Sequence, residues 1–178
     1  MKDHMQTIIN ACLAIFITVY IIQNDKLNEQ VELLNKEVEA TNVGLIKTLY
    51  SDYNTAFIKN DFPRIASHFE TPVNFASNEI IAETEKDVVS RYEVMKATIQ
   101  EGYAYSVTGD VTIKRQSDNS YLLCADFTRI NKQKEVLFEG RAEYQWINVP
   151  DKGWKMNYLK GIDRGSNPNC ILDGNKPF

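Results

Sequence analysis

Residues 7–22 read T-I-I-N-A-C-L-A-I-F-I-T-V-Y-I-I, with no ionisable side chain except the phenol of Tyr20. At about 1.5 Å per helical residue the run covers roughly 24 Å, a little short of the ~30 Å hydrocarbon core. Met5 and Gln6 add part of a turn, and a thin bilayer closes the gap. A helix without a polar face needs an apolar surrounding on every side. Gln23, Asn24, Asp25 and Lys26 follow where a cleavage site would want small residues, and Cys12 lies inside the apolar stretch rather than after it. The lipoprotein box therefore fails, and a signal anchor, residues 1–23, is the preferred reading over a cleaved leader or a buried helix of the fold. Lys2 and the amino terminus lie on one side, whereas Lys26 on the other neighbours Asp25 and precedes Glu29, Glu32 and Glu37. The positive-inside rule then gives a single-pass protein of the cell membrane with its C-terminal domain extracytoplasmic.

Beyond the anchor, Leu27, Val31, Leu34 and Val38 recur at spacings of four, three and four among polar residues. Thr41 and Leu45 continue that register, so residues 24–41 are expected to form a helical stalk. Two readings stay open. The seam dimerises, helped by the high effective concentration of chains tethered in one membrane, or the helix is solitary and lies on its own domain.

From residue 42 to 163 the pattern is that of a folded domain. Ile46, Leu49, Tyr50, Tyr53 and Phe57 mark one face of a helix ending near Asn60. Asp61 as N-cap and Pro63 in the first turn open a short second helix with the stripe Phe62, Ile65, Ala66 and Phe69, which Thr71-Pro72 stops. Residues 73–76 and 79–82 read as two short strands. Thr84 and Asp87 form a capping box that starts a third helix, with Val88, Tyr92, Met95 and Ile99 buried and Gly102 at its end. The period then changes to two. Four long strands follow, with turns at residues 117–120, 131–134 and 150–153. Strict alternation sends Tyr103, Tyr105, Val107, Leu123, Phe127, Tyr144, Trp146, Trp154, Met156 and Tyr158 toward the helices. It sends Asp110, Asp126, Glu143 and Lys155 away from them.

Composition narrows the chemistry. Of 178 residues, 43% are hydrophobic and 25% charged, and 20 Lys+Arg against 24 Asp+Glu leave a net charge of -4. That is one globular domain with an addition, and no positive excess is available to neutralise a nucleic-acid backbone. Two His and three Cys, in no metal-binding spacing, argue against a zinc site; no metal and no cofactor are expected.

The order helix, helix, two short strands, helix, four long strands resembles the nuclear transport factor two-like superfamily, whose ketosteroid isomerases and polyketide cyclases share the fold. The segment Y-N-T-A-F-I-K-N-D-F-P-R-I-A-S-H-F-E-T-P-V-N-F-A, residues 53–76, looks like that family's first two helices and first strand. The resemblance implies an α+β fold, a cone-like curved antiparallel sheet covered by three helices, here preceded by a long transmembrane and stalk helix. It also implies a pocket, for which Tyr50, Tyr53, Tyr105, Phe127, Tyr144 and Trp146 are the candidate lining. The isomerases carry an aspartate base at the end of the first strand, where this chain has Asn74-Phe75-Ala76-Ser77, so no catalytic residue is assigned. His68 is expected to be partly exposed, and Arg129, on the inward parity near a strand end, to be exposed there or to meet an anion at the mouth. Members of the superfamily often dimerise through the outward sheet face, which here carries mixed charges. A homodimer through that face or through the stalk is thus the candidate partner, beside the membrane at residues 7–22. The layout is similar to the inner-membrane scaffold proteins of type IV secretion systems, and the function expected is a non-catalytic binding or assembly module of the cell envelope. The alternative is a small-molecule binder or enzyme that uses the aromatic pocket. Cys124 and Cys170, the latter in the extended tail 164–178, make one candidate disulfide if the domain is exported.

Overall fold

A computed structural model describes residues 2–162, with side chains from Phe16 onward. The chain divides into two compact units, Met1–Gly44 and Leu45–Phe178. The first unit is helical: α1 (Lys2–Lys59) supplies it up to Gly44 and supplies the second unit from Leu45. Leu27, Val31, Leu34 and Val38 each stand about half exposed. Among the described residues no helix is long and apolar enough to cross a membrane. Of the expected anchor, residues 7–15 lie outside those whose side chains are described, as do residues 163–178 with Cys170.

In the second unit α1 is followed by α2 (Phe62–Ser67), β1 (Phe69–Phe75), β2 (Ile80–Ala82), α3 (Glu85–Ala97), β3 (Tyr103–Ser117), β4 (Ser120–Asn131), β5 (Val136–Val149) and β6 (Gly153–Ile162). One six-stranded sheet has the order β2-β1-β6-β5-β4-β3. The long strands form the expected antiparallel meander, but the sheet is mixed, because β1 runs parallel to β6. β1 also starts earlier than the sequence suggests. His68 caps α2, its N–H reaching the carbonyls of Ala66 and Ile65. Its own carbonyl accepts the Met156 N–H at 2.8 Å, so the chain enters the sheet as soon as the helix ends, and Phe69 is a strand residue.

The helix starts follow local chemistry. The Asp61 carboxylate accepts the Arg64 N–H at 3.2 Å. Thr84 Oγ1 accepts the Asp87 N–H at 3.3 Å while Asp87 Oδ2 accepts the Thr84 N–H at 2.9 Å, satisfying two donors that the first turn of α3 leaves free. Between helices and sheet, Trp146, Tyr92, Tyr121, Phe75, Ile46 and Ile65 are buried to below 2% exposure.

Two bulges correct the parity reading. From Thr108 to Val111 β3 advances one residue more than β4 does from Phe127 to Ala125, and from Met156 to Tyr158 β6 advances one more than β5 does from Trp146 to Gln145. Each extra residue turns the strand over. Before the first bulge Thr108 faces α1, where its hydroxyl accepts from Asn54 Nδ2 at 3.3 Å. Tyr105 and Val107 pair with Ile130 and Thr128 on the opposite face. Tyr158, past the second bulge, pairs with Gln145 on that same outer face.

The outer face is not the open, mixed-charge surface expected of it. Asp126 and Glu143 are 5% exposed and Cys124 4%. Arg141 Nη2 donates to Asp126 Oδ2 at 3.0 Å, which neutralises one of the two buried carboxylates, and burial raises the pKa of Glu143 against the pull of Lys160. Cys124 is disulfide-bonded.

Candidate functional site

The inner face of the sheet and the helices enclose a cavity of about 250 Å³. Its existence follows from small side chains placed by register. Ala142 on β5 pairs with Gly161 on β6, and both line the cavity together with Ser77 from the β1–β2 turn. Gly140 has a related role: a Cβ there would lie 2.6 Å from Phe138 Cε1 and 2.8 Å from Phe127 Cζ, so only glycine lets those two rings pack across it.

Helix α1 contributes Tyr50, Tyr53, Asn54 and Phe57 to the lining, α3 contributes Arg91 and Met95, and the sheet adds Phe127, Arg129, Tyr144 and Leu159. Tyr50, Tyr53, Phe127 and Tyr144 are thus brought together as expected from the sequence. Tyr105 and Trp146 are not. Tyr105 sits on the outer face for the reason given above, and Trp146 is wholly buried beside the cavity rather than on its wall. Trp154 packs edge-on against Tyr121, centroids 5.2 Å apart, so neither tryptophan plugs the space.

The tyrosines form one aromatic wall. Tyr144 meets Tyr50 and Tyr53 edge-on at 5.2 and 5.7 Å, and the Tyr53 and Tyr92 hydroxyls lie 2.8 Å apart. Burial is the first cause that raises the pKa of Tyr50, Tyr53, Tyr92 and Tyr144. These phenols are neutral at physiological pH and serve as hydrogen-bonding groups rather than bases. Among the described residues no Asp or Glu lines the cavity.

Positive charge takes the place that the sequence left open. Arg129 Nη1 donates to Gln100 Oε1 at 2.8 Å, and its guanidinium lies 5.2 and 5.3 Å from the Phe127 and Phe138 ring centroids, a stacked cation–π arrangement. Arg91 donates through Nη2 to Asn78 Oδ1. In both arginines Nε is buried without a partner. Nearby, Lys96 Nζ sits 4.3 Å from the centroids of Phe57 and Tyr103 and donates to the Phe57 carbonyl at 3.1 Å. Burial and then the Arg129 charge lower its pKa to about 8.

His68 is buried, not partly exposed, and stands outside the cavity. Its Nε2 lies 3.0 Å from Asp52 Oδ2, and Arg64 pairs with the same carboxylate, tying α1 to α2. Burial lowers the His68 pKa more than Asp52 raises it. Among the described residues no group of three His, Cys, Asp or Glu could hold a metal ion. Sequence reading missed Arg91 and its Asn78 partner. The one available signal was position: Arg91 directly precedes Tyr92, on the shoulder of the buried stripe of α3.

The family described as NTF2-like protein (DUF6841) matches residues 39–159, which is most of the second unit with the end of the first. The chain belongs to this family. Solved structures place the DUF6841 domain in a wide fold group. An NTF2-like protein of cystatin-like fold from Novosphingobium aromaticivorans superposes with a TM-score of 0.60 at 11% identity, over 77% of this chain and 91% of that one. A domain of unknown function with a cystatin-like fold from Nostoc punctiforme gives 0.59 at 13%, over 72% and 80%. A protein provisionally named scytalone dehydratase, also from N. aromaticivorans, gives 0.56 at 14%, over 71% and 86%. At these identities the DUF6841 chain shares their fold. No curated relative matches it.

Proposed function

We propose that this DUF6841 protein is a non-catalytic binding module whose cavity takes one small, largely apolar molecule. The observation that carries the reading is the unplugged cavity itself, walled by buried neutral phenols and closed by small residues at Ala142, Gly161 and Ser77. Pockets of several hundred Å³ with an apolar wall and a few polar groups are the usual form of small-molecule sites. Among the described residues its lining has no carboxylate to exchange a proton with the phenols, and this is what favours binding over the dehydration that the name of one fold relative suggests for that relative.

The test is titration of naphthalene-2-carboxamide, a flat neutral probe, into the full chain, followed by NMR shifts of the aromatic signals. Saturable shifts at Tyr50, Tyr53 and Tyr144 are expected, lost in Ala142→Leu with the thermal melt retained. Shifts that never saturate, or that survive the filled cavity, refute the reading.

In the same proposal the module is carried at the cell membrane by residues 7–22, with its C-terminal domain outside, and copies meet through the seam of residues 24–41. The apolar composition of residues 7–22 and the heptad spacing support it. Fractionation with protease protection tests the first part; recovery of the chain in the soluble fraction refutes it. Crosslinking in membranes tests the second, and unchanged crosslinked species in Leu34→Glu, Val38→Glu rule out the seam.

A further inference from the structure

We propose that the cavity selects an organic carboxylate, an anionic group on a flat apolar body, with Arg91 and Arg129 holding the charge. The inference rests on the reading of the cavity as a ligand site and adds the class of ligand.

The arginines of this chain fall into two sets. Of the five in the described residues, Arg64, Arg115 and Arg141 each pair with an aspartate, Asp52, Asp118 and Asp126 respectively. The two without a carboxylate are Arg91 and Arg129, and both line the cavity. Among the described residues their side-chain acceptors are the neutral amide oxygens of Asn78 and Gln100, and each keeps a buried Nε–H with no acceptor there. In a chain of net charge -4 with 24 acidic residues, the lack of acids on this wall is local.

A half-buried cation without a counter-charge is costly, and a buried donor without an acceptor adds to that cost. A fold needs neither arrangement for packing. Lys96, beside Arg129, adds a third positive charge with no carboxylate partner among the described residues. A bound carboxylate brings a negative charge and lone pairs in the geometry that guanidinium forks match. Cation–π contact with Phe127 and Phe138 and the hydrogen bond to Gln100 restrain the Arg129 side chain, so little freedom is lost when it engages a ligand. The rest of the wall is aromatic and aliphatic, which calls for an apolar body and disfavours a bare inorganic anion.

The experiment compares 2-naphthoate with naphthalene-2-carboxamide, molecules of nearly the same shape that differ by one charge, titrated into the full chain at fixed ionic strength. The carboxylate is expected to bind on the order of tenfold tighter or more. Arg129→Met and Arg91→Met should each bring 2-naphthoate toward the carboxamide affinity, the loss for the carboxylate being on the order of tenfold larger than any change for the carboxamide, and Arg129→Lys should keep part of the preference. Equal affinities for the two probes in the wild type, or 2-naphthoate binding indifferent to both Met variants, overturns the inference while the carboxamide result upholds the cavity as a site. Displacement of 2-naphthoate by sodium phosphate, but not by sodium chloride of equal ionic strength, overturns the requirement for an apolar body. If neither probe binds the wild type, the ligand-site reading itself fails and the inference falls with it. Thermal melts of the Met variants within a few degrees of wild type separate lost binding from lost folding.

Discussion

A methyl group added at Gly140 isolates what the packing of Phe127 and Phe138 across that strand position is worth. The φ of Gly140 is an ordinary one, so its replacement carries no backbone strain. Alanine in a strand is by itself favoured over glycine by about 0.5–1 kcal/mol. Against this, the new Cβ would stand 2.6 Å from Phe138 Cε1 and 2.8 Å from Phe127 Cζ, closer than real carbon contacts, and overpacking of that kind costs roughly 1–3 kcal/mol. Phe138 is 40% exposed and so has room to give way, which puts the cost in the lower half of the range. The net expectation for Gly140→Ala is a loss of about 0.75 kcal/mol, and at most about 1.5 kcal/mol. Thermal unfolding of the full chain reads it as a fall in Tm of roughly 2–3 °C, and at most about 6 °C.

Gly161→Ala is the control, because its Cβ meets only Ser77 Oγ at 3.6 Å, an ordinary contact; Tm there should hold or rise. Phe138→Ala, combined with Gly140→Ala, should be less destabilised than the sum of the singles, since Phe127 then moves into the vacated space. A Gly140→Ala protein more stable than wild type, or strict additivity in the double variant, refutes the packing argument.

Three further outcomes follow from the same geometry. His68 should titrate below its usual 6.5, since burial lowers it. The unfolded chain then takes up the proton first, so stability falls as pH drops below about 6.5 toward the folded value, and chemical denaturation of His68→Phe across that window should show a flatter profile. Lys96, at about 8 in the fold, works at the other end. Between about 8 and the ordinary lysine value near 10.4 the unfolded chain holds the extra proton, so stability rises with pH there. Lys96→Met should remove that rise, and an unchanged slope would refute the assignment. Thr84→Ala strips the capping box of α3 and should cost about 1 kcal/mol in urea denaturation.

How far the sequence reaches is decided by which signals are local. The capping box at Thr84 and Asp87, the Asp61 cap, the turn at residues 150–153 and the four-strand meander were all legible, because each depends on residues a few positions apart. Tyr50, Tyr53, Phe127 and Tyr144 were legible for the same reason, through helix and strand period. Tyr105 and Tyr158 were not, since a single bulge residue inverts every side chain beyond it and nothing in the alternation announces the insertion. The presence of Gly109 in the first bulge is the nearest thing to a signal. Its Cβ position would fall 3.2 Å from the Asp126 Cβ, a contact known only once β4 is in place.

The burial of His68, Asp126 and Glu143 was hidden by a related limit: polarity predicts exposure, and only tertiary partners such as Asp52 and Arg141 overturn it. The same limit explains why the cations escaped notice. Arg91 on a helix shoulder and Arg129 at a strand end are solvated positions in an isolated element. What makes them unusual is not their residue type but the absence of a carboxylate beside them, which becomes visible only when Arg64, Arg115 and Arg141 can be seen to have one. A site defined by missing counter-charge is a property of the assembled wall, and the 2-naphthoate comparison reads that property directly.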